Sequence, residues 1–98
     1  MYDIKFEWDQ KKNRINISKH GISFEEATTV FADENAVIFD DPEHSLSEER
    51  FLIIGASRAR KLFIVSHCYR NNDGVIRIIS ARNANKKESL FYKEFNNF

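Results

Sequence analysis

The chain predicts an α+β fold with a largely antiparallel sheet, in the order β-α-α-β-β-β-β-α, and three observations predict it. Runs of β-branched and aromatic residues crowd the middle of the sequence and are separated by short turn signals rather than by helices. Two helix-start signals precede this region and a third follows it. At 98 residues, 42% of them apolar, the chain has material for one core and is expected to form one domain over residues 1–98.

Each element has its own signal. Ile4, Lys5, Phe6, Glu7 and Trp8 alternate apolar and charged, the period of a half-buried strand. Asp9 is placed to cap a helix that runs through Lys19 and stops at Gly21. Ser23 with Glu26 reads as a capping box, and the helix it opens puts Phe24, Ala27, Val30 and Phe31 on one stripe. Residues 36–39 read as a short strand, and residues 40–49 as an acidic loop. Three β-rich runs follow at 51–55, 62–65 and 75–79, the last continuing toward Arg82. Asn85, with Glu88 three residues on, opens the final helix through Leu90, Phe91, Tyr92 and Phe95.

The turn at residues 71–74 makes a hairpin of the last two runs. A two-residue or a four-residue loop there sorts the side chains identically, because the registers differ by an even number. One face would then carry Phe63, Val65, His67 and Tyr69 with Ile76, Ile78, Ser80 and Arg82. The other would carry Leu62, Ile64, Ser66, Cys68 and Arg70 with Val75, Arg77, Ile79 and Ala81.

The formal net charge is zero but unevenly spread. Residues 58–87 hold Arg58, Arg60, Lys61, Arg70, Arg77, Arg82, Lys86 and Lys87 against one acid, Asp73. This predicts one end of the molecule prepared for an anion, above all a nucleic-acid backbone; a solvated basic face is the competing reading. The lone Cys68 excludes an internal disulfide, and no apolar run approaches the ~20 residues that span a bilayer, so a cytoplasmic protein without membrane contact is expected. The acidic loop (Asp40, Asp41, Glu43, His44, Glu48, Glu49) fits no common ligand spacing, and neither metal nor cofactor is expected.

Four blocks, in this order, resemble the BrnT toxin family: Phe6-Glu7-Trp8-Asp9; Lys19-His20-Gly21-Ile22-Ser23-Phe24-Glu25-Glu26-Ala27; Asp41-Pro42 with Glu49-Arg50-Phe51; and Ile76-Arg77-Ile78-Ile79-Ser80-Ala81-Arg82. The resemblance extends over residues 4–92, and the second and fourth blocks together are its most specific part. It implies a RelE-like fold and a type II toxin that cleaves RNA and stops translation. It also implies a cognate BrnA-type antitoxin with a ribbon-helix-helix-like DNA-binding domain, so that operator DNA is reached only through that partner.

Cleaving RNA through its own 2′-OH needs a base, cations around the crowded phosphorus and an acid for the leaving oxygen, and it needs no metal. Arg77 and Arg82 lead as the cations, because a guanidinium grips phosphate with two parallel bonds. Strand alternation puts them on opposite faces unless a bulge intervenes. His67 is a candidate base or acid; the alternative is a strand histidine bonded to backbone or to Ser80. Tyr92 is a candidate for stacking on a base or supplying a phenol; the alternative is packing against the sheet. Lys11, Lys12, Lys19, Arg60, Arg70 and Lys86 are the candidate RNA-binding cations. A second reading, favoured by the neutral charge, is a non-catalytic module that binds a DNA-binding antitoxin as co-repressor.

Overall fold

Asp9 opens the first helix of the computed structural model, which describes residues 4–44, 48–72 and 74–98. β1 spans Lys5–Glu7 and α1 spans Gln10–His20. The Asp9 carboxylate accepts the Lys11 N–H at 2.8 Å, satisfying a donor that the helix leaves unpaired. Gly21 closes α1 at φ 71°, a left-handed conformation that costs a residue with a Cβ about 1 kcal/mol or more. The chain reverses there, held by Asn13 Oδ1, which accepts the Phe24 N–H at 2.8 Å.

Ser23 then caps α2, Phe24–Thr28, by accepting the Glu26 N–H. The stripe expected to continue as α-helix tightens into a 3-10 turn over Thr29–Ala32. Its cause is local. The hydroxyls of Thr28 and Thr29 each donate at 2.7 Å to a carbonyl three residues back, competing with the helical ladder.

The remaining strands are β2 (Val37–Asp40), β3 (Phe51–Ala56), β4 (Leu62–Arg70) and β5 (Val75–Asn83). Their order is β1-β5-β4-β3-β2, antiparallel throughout except for β1, which runs parallel to β5. The final helix, α3, spans Lys86–Phe95 behind a complete capping box between Asn85 and Glu88.

The expected alternation of the hairpin is broken by a bulge. Arg70 faces Val75, Cys68 faces Arg77 and His67 faces Ile78, but Ser66 faces Ser80, which leaves Ile79 as an extra residue. Every β5 side chain beyond Ile79 therefore changes face. Without the bulge, Ser80 and Arg82 would point into the core and Ala81 would point away from it. Burying an unpaired guanidinium costs far more than one disrupted ladder pair. The assignment of Ser80 and Arg82 to the His67 face is thus corrected: Arg82 shares its face with Arg77.

The bulge falls where the outer edge of β5 changes partner. β1 ends with Glu7 opposite Arg77, and beyond that point a side chain takes over. Asn16, 5% exposed on α1, accepts the Ala81 N–H at 3.1 Å and donates to Ala81 O and Ile22 O, both at 2.9 Å. One primary amide here stands in for a strand.

The sorted sheet has two unlike faces. Phe63, Val65, Ile76, Ile78 and Ala81 pack under Ile22, Phe24, Ala27 and Val30, with Phe6, Trp8 and Phe31 at the margin. Gly55 permits the close approach of the 3-10 turn: a Cβ there would lie 3.1 Å from Val30 O. The opposite face is covered by α3 over Ile54 and Ile64, with Val37, Leu52 and Leu62 packed at the margin. Its other half carries Cys68, Arg70, Arg77 and Glu7. Among the described residues no helix is long and apolar enough to cross a membrane.

Candidate nucleic-acid interface

The half-face left uncovered by α3 gathers three guanidiniums around two carboxylates. Register puts Glu7 of β1 beside Arg77 of β5, and Arg77 Nη1 donates to Glu7 Oε2 at 2.8 Å. Arg70, at the end of β4, lies 3.7 Å from the same Glu7 oxygen and 3.2 Å from Glu48 Oε2. Arg50, just before β3, completes the row with its Nε 3.9 Å from Glu48 Oε1. Cys68 lies beneath, 1% exposed. Burial and the nearby Glu48 carboxylate push its thiol up, so it is inert at neutral pH.

Arg82 lies on the same face at the other end of β5. Its β4 partner, Ile64, is four residues from Cys68, the partner of Arg77, which is about 13 Å along a strand. Its guanidinium does not turn toward Arg77. It donates two bonds at 2.8 Å to the two oxygens of Glu88, holding that carboxyl below its ordinary range. The two arginines therefore share a face while each is turned to its own carboxylate.

His67 lies on the opposite, core face, fully buried, and no strand alternation brings it near either arginine. Its Nδ1 lies 3.2 Å from Val65 O and its Nε2 3.3 Å from the Tyr69 hydroxyl, not from Ser80. Phe31 packs edge-on against the ring at 4.9 Å. Burial holds its pKa below the ordinary 6.5, the backbone carbonyl only partly opposing this, so the ring is neutral. Tyr92, 6% exposed, packs under α3 and donates to Asp33 Oδ2 at 2.7 Å. Burial and that carboxylate push its phenol up to about 12, which fits a structural clasp.

Residues 8–88 match the family model described as "Ribonuclease toxin, BrnT, of type II toxin-antitoxin system". The chain belongs to this family. The match spans the half-face arginines, the bulge and Arg82. A crystal structure of the Brucella abortus ribonuclease toxin BrnT superposes with a TM-score of 0.65, at 23% identity over 86% of this chain and 100% of that one. At that identity the likeness concerns the fold, which is the expected α+β arrangement. Comparison with curated proteins gives no match. Membership makes the chain a ribonuclease toxin of a type II system, a class that implies an antitoxin partner.

The remaining candidates of this BrnT-family chain are dispersed. The basic stretch does not form one basic end. Arg58, Arg60 and Lys61 lie at the β3–β4 turn with Arg82, Lys86 and Lys87 toward that end, whereas Arg70 and Arg77 lie toward the other; the two ends of β4 are roughly 26 Å apart at ~3.3 Å per residue. A hairpin interleaves the two ends in sequence, which is why the charge run reads as one block. Lys11, Lys12 and Lys19 are exposed on α1, and Lys12 and Lys19 flank a shallow cleft with Ile79 and Ser80 at the bulge. In the acidic loop, Asp41 pairs with His44 at 3.1 Å, and residues 45–47 lie outside the described residues. Sequence reasoning did not single out Glu7, Glu48 or Arg50. The signal for Glu7 was its place in an alternating strand, facing away from Phe6; Arg50 stood in a quoted block but carried no periodicity.

Proposed function

We propose that residues 1–98 act as one metal-independent endoribonuclease domain that inhibits translation in the cytoplasm and is neutralised by a cognate BrnA-like antitoxin. That partner, ribbon-helix-helix-like, would alone contact operator DNA. The observation that carries this reading is the gathering of Arg50, Arg70 and Arg77 by Glu7 and Glu48 on a solvent-accessible half-face.

A phosphodiester presents the same pair of oxygens to a guanidinium as a carboxylate does. RNA can therefore replace Glu7 at Arg77 and Arg70, which then face the phosphorus where charge accumulates. In this reading the released Glu7 carboxylate takes the 2′-OH proton. The 2′-oxygen attacks phosphorus and the 5′-oxygen leaves, taking a proton from solvent, which yields a 2′,3′-cyclic phosphate and a 5′-hydroxyl end. Arg82, Lys86, Lys12 and Lys19 hold flanking phosphates, with Lys11 and Arg60 at the periphery. In this reading His67 and Tyr92 hold the sheet and α3 in place.

Purified protein incubated with RNA in EDTA tests the proposal. Cleavage that leaves cyclic phosphate ends is expected. Activity abolished by the chelator, or none at high protein concentration, contradicts it. One observation favours the alternative of a non-catalytic co-repressor module: Phe39, Phe91 and Phe95 are 38%, 45% and 64% exposed beside a cavity of about 380 Å3 floored by Ile54 and Ile64. An apolar patch of this kind suits a protein partner, and the same RNA assay decides between the two readings.

A further inference from the structure

A second cleft adjoins the arginine row at the end of the sheet where β3 begins and β4 ends. It encloses about 540 Å3 between Glu48, Glu49, Phe51 and Tyr69. Phe51 and Tyr69 are half-buried, their ring centroids 5.3 Å apart. The buried His67 ring supports both from the core side, at 6.1 and 5.3 Å. Glu49 is exposed and makes no hydrogen bond or ion pair with the other described residues. Glu48 joins the cleft to Arg70 at 3.2 Å.

We infer that this cleft reads an RNA base, and that the base is guanine. The inference rests on the ribonuclease reading and deepens it. The two rings are tilted by 60° to each other, and the face of either one that turns to the cleft is a stacking surface for an unpaired base. A free carboxylate at its rim accepts hydrogen bonds and donates none. Guanine alone offers two adjacent donors, N1–H and the 2-amino group, on one edge, and a single carboxylate accepts both. Uracil offers one N–H between two carbonyls, which the carboxylate repels. Adenine and cytosine set their amino group beside an acceptor nitrogen.

A cationic side chain of a protein partner also fits aromatic walls and carboxylates. Arg70 and Arg50 are held against Glu48, which lines the cleft, at 3.2 and 3.9 Å; their charge opposes a further cation there and attracts the phosphate that accompanies a base. The nucleotide seated here would then be a neighbour of the phosphate held by Arg70 and Arg77.

The test uses the intact chain, with oligoribonucleotides that carry each base in turn at one position, and measures direct binding of 3′-GMP against 3′-AMP. Guanine is expected to be preferred. Glu49→Gln, whose amide offers one acceptor and one donor, should lower the guanine-over-adenine ratio in kcat/KM about 10-fold and weaken 3′-GMP binding by a like factor. Phe51→Leu, which keeps the volume but loses the flat wall, should weaken both nucleotides. Cleavage that ignores the base, or a ratio unchanged by Glu49→Gln, overturns the inference and leaves the ribonuclease reading standing. Binding of 3′-GMP that depends on Glu49 without any RNA cleavage supports the cleft and removes the catalytic reading. If Glu49→Gln weakens antitoxin binding and leaves nucleotide binding untouched, the cleft is a protein contact and the inference fails.

Discussion

Replacing Glu88 with alanine removes two devices at once. The carboxylate accepts the Asn85 N–H at 2.9 Å, closing the capping box of α3, and it accepts both Arg82 bonds at 2.8 Å. Loss of half the capping box costs about 1 kcal/mol. The ion pair adds only about 0.5–1 kcal/mol, because its side chains remain 43% and 28% exposed and solvent screens them. The total of about 1.5–2 kcal/mol corresponds to a fall in Tm of roughly 6–10 °C for a domain of this size. Thermal unfolding of the parent, Glu88→Ala, Arg82→Ala and the double variant separates the two parts. Arg82→Ala keeps the capping box and should cost only the ion-pair share, and the double variant should show coupling of that same share. Because Arg82 holds the Glu88 carboxyl below its ordinary 4.5, the contribution is complete above that pH and is lost as pH falls through the folded value. A Glu88→Ala variant as stable as the parent, or Arg82→Ala costing more than Glu88→Ala, refutes this account of the helix start.

Three further outcomes are expected. His67 is buried neutral with its pKa below 6.5, so the unfolded chain binds more protons below that pH; stability should decline on acidification from about 6.5, and His67→Phe should flatten this part of a urea-melt pH series. Asn16→Leu fills the same space but strands the Ala81 N–H and two carbonyls, and should cost about 2–4 kcal/mol by denaturant unfolding. Tyr92→Phe removes one bond to Asp33 and should cost about 1 kcal/mol while RNA cleavage stays within about twofold, separating clasp from catalysis.

The local signals of the fold were legible because each rests on neighbours in sequence. Asp9, Gly21, Ser23, and Asn85 with Glu88 act within a turn of where they stand; each ends or opens its helix as expected, with the complete capping box formed by Asn85 and Glu88 and Ser23 capping α2 through its own bond to the Glu26 N–H. The hairpin register and the antiparallel neighbours β2 to β5 follow from similarly short connections, whereas the parallel pairing of β1 with β5 joins strands about 70 residues apart and had no local signal. What sequence could not show was Ile79 as an extra residue, since the bulge answers a long-range need: keeping Arg82 out of the core while Asn16, 65 residues away, takes the edge of β5 at Ala81. That one residue decided which face Arg82 occupies. The site was half legible for a related reason. Arg70 and Arg77 stood out by charge, but their carboxylate partners come from β1 and from the segment before β3, and only the folded sheet brings those together.

Single-turnover cleavage of RNA by Arg77→Ala and Arg77→Lys, each first shown to be folded, tests the arginine half-face most directly. Loss of about 100-fold or more in rate for alanine, with lysine only partly restoring it because a point charge lacks the planar fork, is the predicted result. A folded Arg77→Ala protein that cleaves RNA at the parental rate contradicts the account.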